Sequence, residues 1–477
     1  MSLEKVFESF DVVMGVEVHC QLLTNSKLFC SCLAESGGGA NENTCEVCLG
    51  LPGSLPSLNK KAAMLAAKFS RAVQGQLNQK SRFVRKQYFY PDLPKGYQIS
   101  QFKDPICSGG FVELSDGKKI GLDRVQIEED AGKLIHKKSA SFIDLNRAGT
   151  PLIEIVSKPE LTSIPDTIDY LKTLHRIVRF FKISDGNMEA GNFRMDVNVS
   201  LKPRGAQELG TRCEIKNLNS FKFAEKAIEF EIERQAEVLE SGQAIRQQTL
   251  GYDPDINETF SMRDKEDAHD YRYFNDPDLP TLDISFLQEQ DIDVGETPQQ
   301  LKQIFMSDYN LVAEAADFFT VSHERADYLK KSIEDLQNKK MSGKAASFYM
   351  TEIHAKKPDQ KNMQEFFPSS SLAQLYNLLD KGELSSKTAK KACELYFVEN
   401  SSIEEIAIKH KLKPLSDPIK ITEIVKTILA KYPEQLSQYQ GGKTKLRGFF
   451  VGKIMQESGG NLAPAVLNKI LDEHLNG

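Results

Sequence analysis

The sequence predicts an α+β protein in which a domain built on an antiparallel sheet precedes a helical region. Up to about residue 290, short segments alternate polar and apolar side chains between Gly and Pro turns, a pattern typical of strands. Beyond about residue 295 these strand signals fade, and apolar residues recur at helical spacing. Because the chain has 477 residues, it is too long for one ordinary core, and two or three domains are expected.

Two helices are predicted inside the sheet-rich part. The first is indicated by a stripe of apolar residues, with Pro165 near its start, at Ile168, Leu171, Leu174, Val178 and Phe181. Ser220 is the candidate N-cap of the second, which ends near Gly242. In the C-terminal half, amphipathic helices are predicted over residues 322–336, 372–379, 387–398 and 419–429.

Composition excludes several classes of protein. Hydrophobic residues make up 40% and charged residues 27% of the chain, which is typical of a folded globular protein. The chain has no run of about 18 apolar residues and no signal-peptide pattern, so we expect a cytoplasmic protein without a membrane span. Net charge is −6, yet residues 411–477 contain ten Lys and Arg against six Asp and Glu. This last segment can therefore contact nucleic acid although the whole chain is acidic.

Period-two alternation places acidic side chains on one face of the predicted sheet. Glu17 and His19 share one face of their segment, and Val16 and Val18 share the other. Four further segments repeat the pattern, with polar positions at Arg194, Asp196, Asn198 and Ser200; at Arg212, Glu214 and Lys216; at Gln126 leading into Glu128, Glu129 and Asp130; and at Glu154.

A solvated surface is the simplest explanation for any one of these strands. Carboxylates gathered from five strands, however, repel each other unless a cation neutralises them. Oxygen ligands with one imidazole suit magnesium or manganese, ions that usually hold substrate phosphates. The sequence has no G-x-x-x-x-G-K-[ST] loop and no G-x-G-x-x-G after a strand. We therefore predict metal-dependent phosphoryl transfer with any ATP held on the sheet surface.

Four of the eight cysteines are clustered. Cys30 and Cys32 are separated by twelve residues from Cys45 and Cys48, a spacing that predicts a tetrahedral structural zinc site. The alternative is a loop of four reduced cysteines that has lost its metal. A second segment, residues 80–97, interleaves basic and aromatic residues. It could stack a base or a nucleotide, or Phe83 and Phe89 could be core residues beside a basic edge.

Seven blocks of the sequence resemble the B subunits of glutamyl/aspartyl-tRNA amidotransferases. They are VEVH at 16–19, YFYPDLPKGYQISQ at 88–101, EEDAGK at 128–133, DLNRAG at 144–149, SDGNME at 184–189, EIKNLNS at 214–220 and AHDYRYF at 268–274. Four residues depart from the family pattern without touching a candidate ligand: Phe260, Asp264, Asn275 and Arg447.

The resemblance implies a glutamine-synthetase-like cradle domain over residues 1–294, a helical domain over 295–410 and a small helical tail over 411–477 that contacts tRNA. It also implies that the cradle uses ATP to phosphorylate the side-chain carboxylate of misacylated Glu-tRNA(Gln) or Asp-tRNA(Asn). Ammonia then displaces the phosphate. An amidase subunit is expected to supply the ammonia, and a third, small subunit is expected to brace the pair.

Site residues follow from the resemblance as expectations. His19, Glu129 and Glu154 are expected to bind one magnesium ion. A second ion is expected to bind to Glu17, Glu128, Asp196 and Glu214. Candidates for holding ATP are Arg147, Asn198 and Lys216. The zinc ligands are expected to be Cys30, Cys32, Cys45 and Cys48.

Two other functions remain open on the sequence alone. An ATP-dependent carboxylate–amine ligase for a small molecule would share the acidic sheet but would not need a basic helical tail. A zinc-bearing RNA-binding or assembly factor without catalysis would not need Glu17 or Glu128. Replacing either acid with glutamine separates this second function from an enzyme.

Overall fold

A computed structural model describes residues 3–35, 38–264, 271–356, 362–399, 401–413, 415, 417–458 and 462–475. The chain divides into two compact units, Met1–Gln299 and Gln300–Gly477. The first contains a large sheet and the second is helical, so the predicted α+β class is confirmed. The finer division at residues 294 and 410 stays a prediction. The first three residues of the AHDYRYF block, 268–270, lie outside the described residues.

Every strand found among the described residues belongs to the first unit. They are β1 Phe10–Gln21, β2 Gln76–Leu77, β3 Lys80–Ser81, β4 Val84–Gln87, β5 Tyr97–Ser100, β6 Cys107–Ser108, β7 Phe111–Glu113, β8 Lys119–Glu129, β9 Lys133–Lys137, β10 Ala140–Asp144, β11 Pro151–Ser157, β12 Phe193–Pro203, β13 Cys213–Leu218, β14 Gln248–Asp253, β15 Glu258–Asp264, β16 Phe274–Asn275 and β17 Leu282–Asp283.

Within the described residues, ten strands form one sheet in the order β15-β14-β13-β12-β1-β11-β8-β6-β2, with β7 also paired to β8. Its central strands β12, β1, β11 and β8 are antiparallel neighbours, and only β13 and β14 pair in parallel. A three-stranded sheet, β16-β4-β5, brings distant parts of the chain together. The pairs β9–β10 and β3–β17 form two smaller ribbons.

Helices of the first unit are α1 Leu3–Ser9, α2 Glu46–Leu49, α3 Lys60–Ala72, α4 Ile164–Phe180, α5 Phe221–Glu240 and α6 Glu289–Ile292. α4 begins after Ser163, whose side chain accepts a hydrogen bond from Asp166 N. The predicted apolar stripe of α4 is buried, and Thr167 contacts Met14 of β1 at 3.7 Å. Ser220 precedes α5 as predicted, but its side chain makes no capping hydrogen bond.

α5 is fixed to the same side of the sheet. The side-chain amide of Gln235 donates to Val199 O and accepts from Leu201 N, both on β12. Along β1, buried and half-buried residues alternate strictly from Val12 to Gln21. The apolar set, with Val16 and Val18, therefore packs against helices, and the opposite face of the sheet carries the polar set.

The second unit contains α7 Pro298–Ser307, α8 Ala313–Phe319, α9 His323–Glu334, α10 Ser342–Phe348, α11 Met363–Phe366, α12 Ser369–Asp380, α13 Ser386–Glu399, α14 Ile403–Lys409, α15 Pro418–Lys431, α16 Pro433–Gln440, α17 Leu446–Glu457 and α18 Pro464–Leu475. Helices α9, α12, α13 and α15 confirm the four amphipathic predictions. The last helices share an apolar core of their own, which includes Ile421, Phe450 and Leu471. Among the described residues, no helix is long and apolar enough to cross a membrane.

Candidate active site and four-cysteine site

The polar face of the large sheet forms the floor of a cavity of about 530 Å³. The structure brings six of the predicted magnesium ligands together on this floor: Glu17, His19, Glu128, Glu154, Asp196 and Glu214. They come from five strands, β1, β8, β11, β12 and β13. A face on which carboxylates of five strands converge is what the alternation predicted.

The register of β1 explains why these side chains meet. His19 lies directly opposite Glu154 of β11 on one side and Arg194 of β12 on the other. Two residues earlier on β1, Glu17 lies opposite Asp196. Directly opposed residues on neighbouring strands have Cβ atoms about 5 Å apart on the same face. His19 and Glu17 therefore each lie in a row of polar side chains that crosses the sheet from strand to strand.

His19 lies at the centre of two candidate cation sites. Its Nε2 is 3.3 Å from Glu128 Oε1 and 3.5 Å from Glu17 Oε1. Potential ligand atoms of His19, Glu128 and Glu154 lie within 4.8 Å of one another, and the same holds for Glu17, His19 and Asp196. The two sets share one imidazole, which places them side by side.

Burial and the mutual interactions of charged groups determine the electrostatics of this cluster. Burial raises the pKa of Glu154, and the charges of Glu128 and Glu17 raise it further, to about 8. Burial alone lowers the pKa of His19, but the hydrogen bond and charge of Glu128 outweigh it and raise the pKa to about 9. Burial raises the pKa of Glu128, but hydrogen bonding and charge interaction with His19 lower it to about 2. Burial and repulsion between the carboxylates thus favour the neutral form of Glu154, and Glu128 favours the charged form of His19.

Glu214 and Asp196 are joined by Lys216. The ammonium of Lys216 is 3.1 Å from Asp196 Oδ2 and 3.3 Å from Glu214 Oε1. Burial alone lowers the pKa of Lys216, but the charges of these two acids outweigh it and raise the pKa. Asp196 Oδ1 also accepts from the backbone N of Asn217, a residue with φ of +60°. Lys216, predicted to hold ATP, therefore points into the cavity between two acids.

Glu129 does not join the cluster. Successive side chains of a strand point to opposite faces, so Glu129 faces away from Glu128. Its carboxylate accepts hydrogen bonds from Ile99 N at 2.9 Å and from Lys95 Nζ. The expected ligand set of His19, Glu129 and Glu154 stays a prediction, and the residue that lies beside His19 and Glu154 in this structure is Glu128.

The other two predicted ATP contacts lie off the cavity floor. The guanidinium of Arg147 donates to Asp130 Oδ2 and to Gly191 O. Asp130 itself lines the cavity and also accepts from Arg194 Nη2 at 2.9 Å. Arg147 therefore holds Asp130 in place. Asn198 is half-buried opposite Gly15 and Glu214, and it does not line the cavity.

Several side chains in the cavity were not predicted as site residues. Gln126 donates to Glu154 Oε2 at 2.7 Å and to Ser100 Oγ at 3.3 Å. Arg124 Nη2 lies 3.5 Å from Glu154 Oε1. Arg124, Gln126 and Glu128 alternate along β8, so the same period-two pattern identifies them. Ser100 comes from β5 and has no such signal.

The basic and aromatic segment contributes Lys86 and Tyr88 to a wall of the cavity that it shares with other parts of the chain. Lys86 of β4 lies with its ammonium 4.7 Å from the ring centroid of Tyr271. The rings of Phe102 and Tyr273 stack at 4.4 Å, and all four residues line the cavity. Phe83 is buried and Phe89 is 82% exposed. Phe83 is thus a core residue and Phe89 is not, so neither the interpretation as a stacking surface nor that as a core edge holds for every aromatic residue of the segment.

The donor set fits magnesium together with a nucleoside triphosphate. Carboxylate oxygens with one imidazole are ligands that hard divalent cations accept, and seven carboxylates line the cavity against four Lys and Arg side chains. Basic side chains line the cavity at Lys86, Arg124, Arg194 and Lys216. The volume lies within the range of about 300–1,000 Å³ that small-molecule sites occupy.

The four clustered cysteines converge on a second site. Their Sγ atoms lie within 4.8 Å of one another, with 3.9 Å between Cys32 and Cys48 and 3.7 Å between Cys45 and Cys48. A tetrahedron with Zn–S bonds of about 2.3 Å has S···S edges of about 3.8 Å, so the spacing fits zinc. A hydrogen bond from Cys30 lowers the pKa of Cys48, whereas burial and neighbouring thiols raise the pKa of Cys30 and of Cys32. Cys48 is thus the member of the cluster in which the thiolate that a metal requires is favoured.

Lys27 ties the cysteine site to the rest of the unit. It is fully buried, and its ammonium lies 3.8 Å from Cys48 Sγ, 2.8 Å from Asn43 O and 3.4 Å from Leu145 O. A buried ammonium needs such acceptors because desolvation of an unpaired charge is costly. The positive charge also offsets that of the thiolates. Lys27 had no sequence signal, since lone lysines are usually exposed.

Comparisons with known proteins agree along the chain. The family model of the GatB/GatE catalytic domain matches residues 12–288, and that of the GatB domain matches residues 327–475. Two similar relatives are B subunits of aspartyl/glutamyl-tRNA(Asn/Gln) amidotransferases. The relative from Persephonella marina is 43% identical over 473 residues, covering 98% of this chain and 99% of its own length. The relative from Geotalea daltonii is 44% identical over 480 residues, covering 98% of this chain and 100% of its own length.

Proposed function

Because this chain belongs to the GatB family of tRNA-dependent amidotransferase subunits, we propose a two-step reaction in its sheet cavity. The side-chain carboxylate of Glu-tRNA(Gln) or Asp-tRNA(Asn) is first activated with ATP and is then amidated. The observation that carries the site assignment is the convergence of Glu17, Glu128, Glu154 and Asp196 on His19. Apolar side chains at these positions would stabilise the fold at least as well as these buried charged groups. The cluster is therefore better explained by function than by folding.

The residues that would hold the cations are those nearest His19. One magnesium ion would be held by His19, Glu128 and Glu154, and another by Glu17 and Asp196 with Glu214 beside them. When bound, magnesium neutralises the triphosphate and aligns it for in-line displacement.

Basic side chains of the chain itself stabilise the negative charge that moves during the reaction. The substrate carboxylate attacks the γ-phosphorus of ATP, ADP leaves, and the acyl phosphate forms. Arg124, Arg194 and Lys216 line the place where this negative charge moves, and fixed cations in a cavity stabilise it more than water does. Ammonia then attacks the acyl carbon and phosphate leaves, which restores the site. Arg147 contributes by positioning Asp130, while a contact of Asn198 with ATP stays a prediction.

The remaining parts of the chain have supporting roles in this proposal. The first unit is a glutamine-synthetase-like cradle, and Cys30, Cys32, Cys45 and Cys48 hold a structural zinc ion beside it. The basic segment at residues 411–477 contacts the body of the tRNA. Ammonia is made by an amidase subunit, which a small third subunit helps to hold.

Reconstituted transamidation tests the proposed function. The chain is combined with its amidase and small subunits, Glu-tRNA(Gln), ATP, magnesium and glutamine. We expect the wild-type complex to form Gln-tRNA and the Glu17→Gln complex to form none, while both hydrolyse glutamine. Glu208→Gln is the matched control, because it makes the same chemical change in an exposed loop.

Three outcomes would favour another function. Unchanged Gln-tRNA formation by Glu17→Gln would support a factor without catalysis on this sheet. Activity that survives deletion of residues 411–477 with a small carboxylic acid as substrate would support a small-molecule ligase. If neither Glu-tRNA nor Asp-tRNA is amidated by a complex that assembles and binds tRNA, the proposal is wrong.

A further inference from the structure

The β9–β10 hairpin has no part in the mechanism above, yet the residues at both of its ends belong to the cavity or hold it in place. Asp130 and Ala131, just before it in the chain, line the cavity. Arg147, three residues after it, binds Asp130. Within the described part of the chain, β9 and β10 pair only with each other, so the hairpin forms a ribbon separate from the large sheet.

Register divides the hairpin into two different faces. Phe142 lies opposite Ile135, and Ala140 lies opposite Lys137. Directly opposed residues share a face, and alternate residues of one strand do so as well. One face, here called the basic hairpin face, therefore consists of Lys133, Ile135, Lys137, Ala140, Phe142 and Asp144. The other face carries Leu134, His136, Ser141 and Ile143.

The basic hairpin face is exposed and positively charged. Phe142 is 51% exposed and Ile135 is 37% exposed, and the ammonium of Lys137 lies 4.9 Å from the centroid of the Phe142 ring. Among the described residues, neither Lys133 nor Lys137 forms an ion pair. The one acid on this face, Asp144, accepts from the backbone N atoms of Asn41 and Asn146.

An exposed aromatic ring between two unpaired lysines is the arrangement that binds single-stranded nucleic acid. The ring stacks on a base and the ammonium groups contact phosphates. A protein partner would favour a face with a wider apolar surface and fewer lysines. The chemistry of this face therefore favours an RNA strand over a protein surface.

We propose that the basic hairpin face binds the single-stranded 3′ end of the aminoacyl-tRNA, an inference that rests on the proposed function. The residue to be amidated is esterified to that end, so its neighbouring nucleotides must lie at the rim when its carboxylate is in the cavity. β9 has five residues and spans about 16 Å at ~3.3 Å per residue. That length matches four or five stacked nucleotides at about 3.4 Å each.

A pair of variants with equal changes in charge tests which face binds. Lys137→Ala on the basic hairpin face and Ser141→Glu on the opposite face each change the net charge by −1. In the reconstituted complex we expect Lys137→Ala to raise the KM for Glu-tRNA and leave the KM for ATP unchanged, and Ser141→Glu to alter neither. Equal effects of the two variants, or no effect of either, would overturn the proposal.

Salt dependence and stacking supply independent readouts. Each phosphate contact to a single strand contributes about 0.7 to the slope of log K against log salt, so Lys133→Ala with Lys137→Ala should reduce this slope by about 1.4. Phe142→Ala should weaken tRNA binding about tenfold, and Ile143→Ala on the opposite face should not. A slope that stays at the wild-type value would contradict the phosphate contacts.

Truncated tRNA assigns the effect to the 3′ end. Wild-type complex should bind uncharged tRNA(Gln) more tightly than the same tRNA without its last four nucleotides, and a Lys133→Ala, Lys137→Ala, Phe142→Ala variant should bind both equally. If this variant fails to assemble with the amidase subunit, the face binds protein and the proposal is wrong. Binding is measured separately from amidation. A wild-type complex that binds tRNA through this face but does not amidate it would contradict the proposed function and not the proposed role of the hairpin.

Discussion

His19 and Glu154 lie directly opposite each other on the antiparallel strands β1 and β11. Glu128, on the next strand, lies 3.3 Å from the imidazole of His19. With Glu17 of β1 and Asp196 of β12 also close, one imidazole lies among carboxylates of four strands on one face of the sheet. This relationship makes the protonation of Glu154 and the charge of His19 depend on what else occupies the cavity.

Glu154→Gln should stabilise the metal-free chain at pH 8 and much less at pH 5. Burial and the charges of Glu128 and Glu17 raise the pKa of Glu154 from 4.5 to about 8 in the folded chain. The folded state therefore binds this proton more tightly than the unfolded state. Stability from this group is complete below pH 4.5 and is lost as the pH rises toward 8. Thermal unfolding in a chelating buffer at both pH values measures the difference.

Magnesium provides the control for that measurement. The ion should raise the unfolding temperature of the wild type at pH 8, because it binds the ionised cluster, and should raise that of Glu154→Gln less. If the variant and the wild type differ by the same amount at pH 5 and pH 8, the raised pKa of Glu154 is refuted.

His19→Ala should lower amidation with ammonium chloride by at least about a hundredfold, because loss of a shared ligand affects both cation sites. Glutamine hydrolysis by the complex should continue. His175→Gln is a suitable control, since His175 Nε2 donates to Gly186 O and the ring packs on Phe193 and Phe221 away from the cavity. Manganese binding monitored by electron paramagnetic resonance should be weakened by the first variant only.

The acidic face was predictable because strand periodicity is local. Glu17 and His19 share a face whatever the fold, and the same holds for Asp196 and Asn198. Periodicity predicts which face a side chain is on but not how far along the strand the cavity extends. It could therefore not show that Asn198 lies off the cavity. Family blocks placed Glu128 and Glu129 in the site together, although adjacent residues of one strand must face apart.

Other parts of the site depend on tertiary contacts without a local signal. Lys86 and Tyr271 meet because the segments that carry them are joined through β4 and β16, which lie nearly 190 residues apart. The hydrogen bonds of Arg147 to Asp130 and Gly191 O arise in loops, where no repeat predicts direction. Four helices of the second unit, α9, α12, α13 and α15, were easier to predict, because each has an apolar stripe long enough to recognise. A helix of four residues such as α11 is too short to show one.

Cys45→Ser should reduce the zinc content of the purified chain and lower its unfolding temperature. A structural zinc ion contributes its binding free energy to folding, and three thiolates hold it less tightly than four. Elemental analysis of the wild type should give about one zinc per chain. Cys107→Ala, which replaces a buried thiol outside the cluster, should keep its metal. A wild-type chain free of metal at full stability would support four reduced cysteines.

Arg234→Met should reduce the free energy of unfolding by about 3–5 kcal/mol without changing amidation. Arg234 binds Glu231 at 2.7 Å and 2.8 Å, and the carboxylate of Glu231 is fully buried on α5. Removing the guanidinium leaves that charge unpaired. Lys226→Met breaks an exposed pair with Glu229 at the same spacing on the same helix, and it should have no measurable effect. Urea unfolding of the full chain compares the two variants.

The most direct test of the carboxylate cluster is ADP formation in a single turnover, with Glu-tRNA and magnesium present and with neither glutamine nor ammonia. The wild-type complex is expected to release ADP in an amount that depends on Glu-tRNA, since phosphorylation precedes amidation. Glu17→Gln is expected to release none above background, while Glu208→Gln behaves as the wild type. Release of ADP by Glu17→Gln at the wild-type rate would contradict the assignment of the phosphorylation step to this sheet.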